Sequence, residues 1–412
     1  MKPNRIFTAI FWTVLLPISL AGQPNWHAQT SPIQDDLVSV SFSDSLTGWA
    51  VSDSGTVIHT LDGGLTWEIQ QTLDRFEPGK IFFQDKLTGW MAGVNSSAND
   101  TASIMKTADG GATWDTSFFL LNAKIFDIFF INDTMGWAVG FIGDTLGLRL
   151  HTLDAGETWA VESGINILAI FTGVHFRDTD TGDICGDGPV MMHTISGGRG
   201  ESPWAMDIFN LKKPMYDLVN VGELYGCMVG ADGKLFFTKD RWVNFMEYDY
   251  EPGDTLWSVD AIDPLGFWVV GEAGTILFVG YNQFLGLTVQ DQSQDIQQDL
   301  VDLVAIDDAH AWTVGKEGTI LFFGFDPSSG INAPAISGIQ VFPNPATDHI
   351  RVHNLGKGVD HIELYNMQGK LMSTSLVPRG QTNFVISLGG MYPGTYILKA
   401  GEQQRQFVII QP

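Results

Sequence analysis

A short strand-like segment returns along this chain in nearly the same form, with a glycine, an aromatic position and usually a second glycine. Its first copies are GWAV at residues 48–51, GWMAG at 89–93 and GWAVG at 136–140. The series continues with GDICG at 182–186, GCMVG at 226–230, FWVVG at 267–271 and AWTVG at 311–315. We call the second position of each segment the tryptophan slot, which falls at residues 49, 90, 137, 183, 227, 268 and 312.

The slot recurs every 44 residues or so, roughly the length of a propeller blade of four strands. A repeat of this length cannot bury its own apolar face, so the copies must stack or close into a ring. The chain is rich in glycine (46 residues) and poor in charged residues (17%), which suits short strands joined by tight turns. We therefore predict an all-β protein whose residues 23–326 form a seven-bladed β-propeller.

The first residues and the overall charge predict an exported protein. Residues 1–22 place Lys2 and Arg5 before an apolar run from Ile6 to Leu20, which is the order of a secretory signal peptide. No other segment is apolar and long enough to span a membrane, so we expect no transmembrane segment in the mature chain. A formal net charge of −25 disfavours nucleic acid as a partner, because the phosphate backbone is also negative.

The two cysteines, Cys185 and Cys227, lie in neighbouring repeats. Export permits a disulfide between them. Strand alternation places both thiols on the same side of their own sheets, whereas adjacent blades meet through opposite faces. We therefore predict two buried thiols and no bridge.

A second motif, TLDGGLTW at residues 60–67, follows the predicted third strand of blade one and returns at 107–114 and 152–159. A short aspartate accepts backbone N–H groups in a turn, glycine permits positive φ, and tryptophan covers the hairpin. Turn chemistry accounts for every residue, so we predict a structural role with no catalytic, cofactor-binding or metal-binding function. The turn residues are Asp62, Gly64, Trp67, Asp109, Gly111, Trp114, Asp154, Gly156 and Trp159.

This motif resembles the Asp-box, or bacterial neuraminidase repeat. Combined with GWAVG, it is similar to the propeller family of photosystem II assembly factors. The resemblance covers about residues 23–326 and is weakest in blades four and five, where the box decays to TISGG at 194–198 and to Thr238, Asp240 and Trp242. It implies a propeller that binds other proteins and lacks catalysis.

Blade seven has three predicted strands, at 300–306, 311–315 and 319–323, and no fourth before Asp326. A missing strand would leave an exposed sheet edge. The string NWHAQT at 25–30 is similar to TWEIQQ at 66–71, the predicted fourth strand of blade one. We therefore predict that residues 24–31 supply the fourth strand of blade seven.

Four aspartates in blade four invite a calcium site: Asp178, Asp180, Asp183 and Asp187. They fail the calcium-loop pattern, because Gly182 and Pro189 stand where ligands belong. Asp178 also belongs to a turn position that recurs five residues before the tryptophan slot. We predict no metal site, while weak capture of Ca²⁺ by exported acidic loops stays open.

Three histidines, His59, His151 and His193, invite a metal or catalytic site as well. They occupy one repeat position in three different blades, and Lys106 and Phe237 take that position elsewhere. A position that accepts imidazole, ammonium and phenyl groups indicates packing or a place on the rim.

The Asp-box leaves a glycoside hydrolase as the enzymatic alternative. Sialidases use a tyrosine nucleophile, together with an arginine cluster for the substrate carboxylate. The propeller contains residues of these types: Arg75, Arg149, Arg177, Arg199, Arg241, Tyr216, Tyr225, Tyr248, Tyr250 and Tyr281. The sialidase arginine motif near the first blade is absent and that family builds six blades, so we expect binding instead of catalysis.

Irregularities in the repeat predict where a ligand binds. Loops between the second and third strands are short in most blades but are predicted to lengthen at residues 95–103 and 141–147. In propellers these loops share a face with the blade connectors, here including residues 73–79 and 289–298, whereas the Asp-boxes lie on the other face. Loops on a rigid scaffold commonly carry recognition, so we predict that this loop face binds an unknown protein or glycan.

The repeat stops after residue 326. Residues 327–338 predict a linker, and residues 339–412 contain short alternating strands that predict a small Ig-like antiparallel β-sandwich. The strings FPNPATDHI, IELYNMQGKL and ISLGGMYPGTYILKA resemble the type A C-terminal sorting domain of the type IX secretion system, found in Bacteroidetes-type bacteria. The residues that carry this resemblance are Pro343, Asn344, Pro345, Gly369, Pro393 and Gly394.

The resemblance implies that the type IX secretion machinery handles residues 339–412, with passage through the periplasm and then secretion or display at the outer-membrane surface. We therefore expect an exported, non-enzymatic propeller without a cofactor that binds protein or glycan at or outside the cell surface. Two alternatives stay open. One is a sialidase-like or other glycoside hydrolase, and the other is a scaffold for the assembly of envelope complexes.

Overall fold

The chain forms two compact units that divide between residues 326 and 327, and each is described by itself. The computed structural model describes residues 24–409 with internal gaps. Within this described part, no helix is long and apolar enough to cross a membrane. The gaps are residues 97–100, 144, 163–166, 188–189, 201–203, 209–212, 264–265, 283–285, 308, 325–339, 343–348, 354, 356–357, 367–369, 379–380, 390, 392–393 and 402.

The first unit consists of seven four-stranded antiparallel sheets, which we call blades one to seven. Blade one comprises Leu37–Phe42, Gly48–Ser52, Thr56–Thr60 and Glu68–Thr72. Blade two comprises Phe76–Phe83, Gly89–Asn95, Thr101–Thr107 and Asp115–Leu120. Blade three comprises Ala123–Phe130, Gly136–Ile142, Leu146–Thr152 and Ala160–Val161.

The remaining blades repeat this order, with the inner strand first and the outer strand last. Blade four comprises Ile170–Phe176, Gly182–Asp187, Val190–Thr194 and Ala205–Ile208. Blade five comprises Met215–Val221, Tyr225–Gly230, Lys234–Thr238 and Phe245–Asp249. Blade six comprises Leu256–Asp263, Gly266–Gly271, Ile276–Asn282 and Gly286–Asp291. Blade seven comprises Leu300–Asp307, His310–Gly315, Ile320–Gly324 and Asn25–Gln29.

The recurring segment of the sequence is the second strand of every blade, and it is almost completely buried. In blade three, Trp137 and Val139 are each 1% exposed. The final glycine of the segment is required, because a Cβ on Gly140 would lie 1.9 Å from the carbonyl oxygen of Lys124 on the inner strand. In the six blades that carry this glycine, the motif marks a close approach of two backbones, while blade one has the small residue Ser52 at this position.

Every inner strand carries a β-bulge at this close approach. In blade three, Ile125 pairs with Gly140 and Asp127 pairs with Val139, so that Phe126 is the extra residue. Each bulge lies near the start of its strand, where the chain enters from the loop face. The extra residues, which we call the bulge ring, are Val38, Gly79, Phe126, Thr172, Tyr216, Trp257 and Val301.

The blades form a closed ring, because each inner strand contacts the inner strands of both neighbouring blades. The inner strand of blade one, for example, contacts those of blades two and seven. Apolar clusters fill the boundaries between blades, such as the one that joins Phe42 of blade one to Trp312 and Val314 of blade seven. The core of the propeller is therefore distributed over the blade boundaries.

The ring closes through a strand from the beginning of the described chain. Asn25–Gln29 pairs antiparallel with Ile320–Gly324 and forms the outer strand of blade seven. Trp26 of this strand is 4% exposed and meets Trp268 of blade six edge to face, with 5.2 Å between the ring centroids. The strand therefore covers the sheet edge that would otherwise stay unpaired.

The predicted long loops of blades two and three are shorter than predicted, because residues at both ends of each predicted loop extend strands. Asn95 pairs with Thr101 in blade two, and Phe141 pairs with Gly147 in blade three. Small polar residues suggested a loop at 95–103, but Thr101 and Ser103 are buried strand residues. The predicted connectors at 73–79 and 289–298 are likewise shorter, since residues 76–79 and 289–291 lie in strands.

Both cysteines are free and buried, as predicted. Cys185 lies in one apolar cluster with Met191 and Leu218, and Cys227 lies in another with Phe237. Burial raises the pKa of the Cys185 thiol well above its usual range. A buried thiol held in its neutral form packs as a small apolar group.

The second unit contains two antiparallel sheets. The three-stranded sheet comprises Gln340–Phe342, His349–His353 and Phe384–Ser387, in that order. The four-stranded sheet has the order Leu371–Leu376, His361–Asn366, Gly394–Ala400 and Gln403–Ile409. One apolar core joins the two sheets and includes Ile350, Ile362 and Leu398.

Several predicted features of the chain lie outside the described residues. These are residues 1–22, the linker at 327–338 and the motif residues Pro343, Asn344, Pro345, Gly369 and Pro393. The remaining motif residue, Gly394, is the first residue of the strand Gly394–Ala400.

The closing strand predicts a large effect on stability. Trp26→Ala should lower the stability of the propeller by about 3–5 kcal/mol, because it removes a buried indole from the boundary between blades six and seven. Deleting residues 24–31 should lower the melting temperature further, since Ile320–Gly324 then becomes an unpaired edge. Thermal unfolding followed by circular dichroism measures both effects, with Trp26→Phe as the milder control. An unchanged melting temperature in the deletion variant would contradict this role.

Candidate functional site

The three Asp-boxes form the same hydrogen-bonded turn. In blade one, the Thr60 hydroxyl donates to Asp62 Oδ1 (2.9 Å) and accepts the backbone N–H of Gly64 (2.8 Å). Asp62 also accepts the N–H and the hydroxyl of Thr66, at 2.9 and 2.7 Å. The boxes around Asp109 and Asp154 repeat these four bonds. These carboxylates are occupied within their own turns.

The box tryptophans seal the boundaries between blades. Trp67 meets Phe42 edge to face at 5.8 Å, and Phe42 stacks on Trp312 of blade seven at 3.6 Å between ring centroids. The indole N–H of Trp312 then donates to the carbonyl oxygen of Gly63 in the box, at 3.1 Å. We call this arrangement the boundary latch. It also joins blades one to four through Trp49, Trp90 and Trp137.

A polar network replaces the latch between blades four and five. Asp183 occupies the tryptophan slot there, and its Oδ2 accepts a hydrogen bond of 2.9 Å from the amide of Asn220. The Asn220 carbonyl oxygen in turn accepts the indole N–H of Trp242, at 3.1 Å. Arg177 lies 3.3 Å from the same Asp183 oxygen and balances its charge. Asp183 is therefore part of a blade boundary.

The recurring aspartate before the tryptophan slot caps the turn between the first and second strands. The Oδ1 atom of Asp44 accepts the N–H groups of the residues two and three positions further on, and Asp85 and Asp178 do the same. This is the local chemistry of an Asx-turn. Among the residues that the structure describes, no group of three or more histidine, cysteine or acidic side chains is arranged to hold a metal ion.

The three histidines stay apart in three blades, where each pairs across the sheet with the tryptophan slot. His59 stacks on Trp49 with 5.0 Å between ring centroids, and burial lowers the pKa of its imidazole. His151 lies 3.1 Å from a carboxylate oxygen of Glu162. His193 is the cross-strand partner of Asp183. Their shared spacing in the sequence reflects the repeat.

Three of the five arginines considered for a sialidase site are held in separate ion pairs. Arg149 lies 3.7 Å from Glu162 in blade three, and Arg177 lies 3.3 Å from Asp183 in blade four. Arg199 contacts Asp180. Each of these guanidinium groups faces a carboxylate of its own blade, so these three do not share one substrate carboxylate.

A polar ring, in contrast, forms at the centre of the propeller from residues that the sequence did not single out. One residue directly after the bulge on each inner strand contributes to it, ten positions before the tryptophan slot. We call this set the inner ring, and its members are Ser39, Lys80, Asp127, Gly173, Asp217, Ser258 and Asp302.

Side chain to backbone hydrogen bonds from the inner ring join four pairs of neighbouring blades, including the Ser39 hydroxyl of blade one, which accepts the N–H of Ile81 in blade two at 3.1 Å. Asp302 of blade seven accepts the Ser39 hydroxyl (2.6 Å) and the N–H of Val40 (2.9 Å), both in blade one. Asp127 accepts the N–H of Val174 at 2.8 Å, and Asp217 accepts the N–H of Val259 at 3.0 Å. These bonds satisfy inner-strand N–H groups that have no partner within their own sheet.

One lysine balances the carboxylates of the inner ring. Lys80 Nζ lies 2.7 Å from Asp302 Oδ1. Burial opposes its charge, yet the carboxylates of Asp302, Asp127 and Asp217 hold the pKa of Lys80 above its ordinary value. Burial also raises the pKa of Asp127 and raises that of Asp217 to about 7. Near neutral pH the ring therefore holds protons that exposed carboxyl groups would release.

The bulge ring lies next to the inner ring, on the side of the loop face, and presents three aromatic side chains there. Phe126 is 37% exposed and stacks on Phe141 with 5.9 Å between centroids. Tyr216 and Trp257 are half-buried and lie 4.6 Å apart, centroid to centroid, across the boundary between blades five and six. These aromatic residues at the inner end of the loop face form the candidate site.

The residues of both rings share a fixed spacing from the tryptophan slot. Counting back ten residues from the tryptophan slot finds every inner-ring residue, and counting back eleven finds the bulge ring. The residue types at these positions vary from glycine and serine to lysine and aspartate, so no motif marked them. The shared position becomes meaningful only when the ring brings the seven strands together.

Comparisons with known families agree with this architecture. Residues 340–411 match the family model described as a secretion system C-terminal sorting domain, which indicates export by the type IX system to the cell surface or the medium. Residues 18–114 match the model of the photosynthesis system II assembly factor YCF48. No curated protein matches the sequence.

Three solved structures of similar fold have low sequence identity to this chain. YCF48 bound to D1 peptide is 17% identical with a TM-score of 0.59, covering 73% of this chain and 97% of its own. YCF48 from Cyanidioschyzon merolae is 15% identical with a TM-score of 0.57, covering 73% and 99%. The WD40 propeller domain of Doa1 is 10% identical with a TM-score of 0.57, covering 74% and 98%. These likenesses establish a propeller fold.

The raised pKa of Asp217 predicts a pH-dependent effect of its removal. The pKa of Asp217 is about 7 in the folded state, whereas the ordinary pKa of an aspartate is 3.8. Between these two pH values the folded state therefore binds more protons than the unfolded state. The contribution of this group to stability therefore falls as pH rises from about 4 to 7. Relative to the unmodified chain, the stability of Asp217→Asn should therefore rise by about 3 kcal/mol between pH 4.5 and pH 8, since one pKa unit corresponds to about 1.4 kcal/mol.

Denaturant unfolding at both pH values measures this difference. The control is Asp115→Asn, since Asp115 is an exposed residue on the outer strand of blade two. The same stability difference for Asp217→Asn at both pH values would contradict the raised pKa.

Proposed function

We propose that this chain, which joins a YCF48-like propeller to a secretion-system C-terminal sorting domain, is an exported, non-enzymatic protein that binds a segment of another protein on its loop face. The observation that carries the proposal is the set of bulge-ring aromatics Phe126, Tyr216 and Trp257. Aromatic side chains supply large contact area at low entropic cost, which is why they are frequent in protein interfaces.

The carboxylates near these aromatic residues favour a binding role over a catalytic role. The nearby carboxylates of the inner ring are committed to backbone N–H groups and to Lys80, and the Asp-box carboxylates are committed to their turns. A general acid and base would need to face a substrate in a positioned pair. The arrangement therefore favours a rigid recognition surface over a glycoside hydrolase.

A structural relative adds support of a different kind. YCF48, whose fold is similar, has been solved bound to a D1 peptide. By analogy, we infer that the ligand of this chain is also a peptide segment, presented by a protein that the chain meets after export. Such a role would suit a scaffold that helps to assemble complexes at the cell surface.

Site-specific crosslinking tests the proposal. A photoreactive phenylalanine analogue replaces Phe126 on the loop face or, as the matched control, Leu153 on the box face, which is 52% exposed. The full chain is then illuminated with envelope and medium fractions of the producing cell. We expect one exported protein to be crosslinked from position 126, with an excess of unmodified chain suppressing the adduct, and none from position 153.

Several outcomes would contradict the proposal. Equal adducts from positions 126 and 153, or adducts that excess chain does not suppress, would show that the loop face is not selective. Selective binding to a glycan array without protein adducts would identify a glycan-binding propeller instead. Turnover of a fluorogenic sialoside or aryl glycoside by the full chain would identify an enzyme.

A further inference from the structure

We propose that Tyr216 and Trp257 form a docking platform for a basic side chain, lysine or arginine, of the partner protein. We call these two residues the aromatic pair. The inference rests on the proposed function and specifies the chemistry of the segment that is bound.

Closure of the ring brings the two residues of the aromatic pair together, although they are distant in the sequence. Its members are the extra residues of two neighbouring bulges, separated by 4.6 Å between centroids and by an interplanar angle of 38°. Neither residue belongs to a boundary latch, and both stay partly accessible. Two tilted aromatic faces at the loop-face end of the inner strands thus remain available for a ligand.

Acidic residues surround this pair. Glu272 directly follows Gly271, the strand partner of Leu256 beside Trp257, and Asp232 lies two residues after Gly230, the strand partner of Met215 beside Tyr216. Burial and the negative charges of Asp187, Glu272 and Asp232 also raise the pKa of the Tyr216 phenol. Asp187 is the exposed last residue of the second strand of blade four, and Asp232 is exposed in the turn Ala231–Gly233 between the second and third strands of blade five. Glu272 occupies the same loop of blade six and accepts the N–H of Thr255 at 2.9 Å.

Nearby cations neutralise only part of the negative charge of these carboxylates. Lys213 pairs with Asp232 at 2.5 Å, whereas neither Asp187 nor Glu272 forms an ion pair within the part of the chain that the structure describes. Asp217, beside Tyr216 on the same strand, accepts the Ser258 hydroxyl at 2.8 Å instead of a cation. The aromatic pair therefore lies near two carboxylates, Asp187 and Glu272, that form no ion pair among the described residues, on a protein whose net charge is −25.

This combination is complementary to a cation on a flexible side chain. A guanidinium or ammonium group gains cation–π attraction over tryptophan or tyrosine and forms charge-assisted hydrogen bonds with carboxylates. An acidic segment would be repelled by the same groups. A purely apolar segment would gain nothing from the carboxylates and would leave them partly desolvated.

Peptide binding to the full chain tests the inference. The probe is a fluorescein-labelled dodecapeptide that alternates glycine and arginine, compared with the same peptide carrying citrulline or glutamate in place of arginine. Citrulline keeps the shape of arginine without its charge. We expect fluorescence anisotropy to show binding of the arginine peptide at least about tenfold tighter than the citrulline peptide, weakening as salt rises.

Variants locate the binding on the aromatic pair. Tyr216→Ala and Trp257→Ala should each weaken binding of the arginine peptide about tenfold, while Tyr216→Phe should retain it because the aromatic face remains. The double variant Asp187→Asn with Asp232→Asn should weaken binding by a smaller factor without disturbing the core. Phe119→Ala and Asp115→Asn are matched controls, because both positions are exposed on the outer strand of blade two and should leave binding unchanged.

Two results would overturn the inference. One is equal affinity for the arginine and citrulline peptides, or no binding of either, and the other is unchanged binding after loss of the aromatic pair in variants that remain folded. Both outcomes differ from failure of the proposed function, which is read from crosslinks at position 126 and requires no basic residue in the partner. Selective crosslinks without arginine-peptide binding would reject this inference alone.

Discussion

The contact between the tryptophan slot of one blade and the Asp-box turn of the next is the interaction that holds together the ring from blade seven through blades one to four. A single blade buries one face poorly, and stability comes from the surfaces that blades share. The latch combines stacking of Phe42 on Trp312 with a hydrogen bond to the Gly63 carbonyl. It therefore fixes both the distance and the rotation between the blades that it joins.

The repeat made the fold predictable, because its signals are local. The close approach at Gly140 demands glycine in the motif, and the Asp62 turn demands its aspartate, threonine and glycines. The prediction of a long loop at 95–103 was wrong because burial is not a local signal. Thr101 and Ser103 are polar but buried between blades, and a single sequence does not reveal which polar residues are covered by a neighbour.

The candidate site was less predictable, because its parts come together only through closure of the ring. Tyr216 and Trp257 are about forty residues apart, and neither belongs to a recognisable motif. Asp127, Asp217 and Asp302 likewise look like ordinary strand residues until the inner strands converge on Lys80. Irregular loop lengths predicted the loop face as the binding surface, whereas in the structure the candidate aromatic residues lie at the ends of the inner strands on that face.

The origin of the last strand of blade seven has a consequence for the order of folding. His27 of this strand lies 3.2 Å from the carbonyl oxygen of Gly324, across a sequence separation of 297 residues. No partial chain that stops short of this point can complete the circle, so ring formation is an all-or-none event that awaits nearly the whole propeller. Until then the chain is a row of blades with two open ends, and contacts of such long range form slowly.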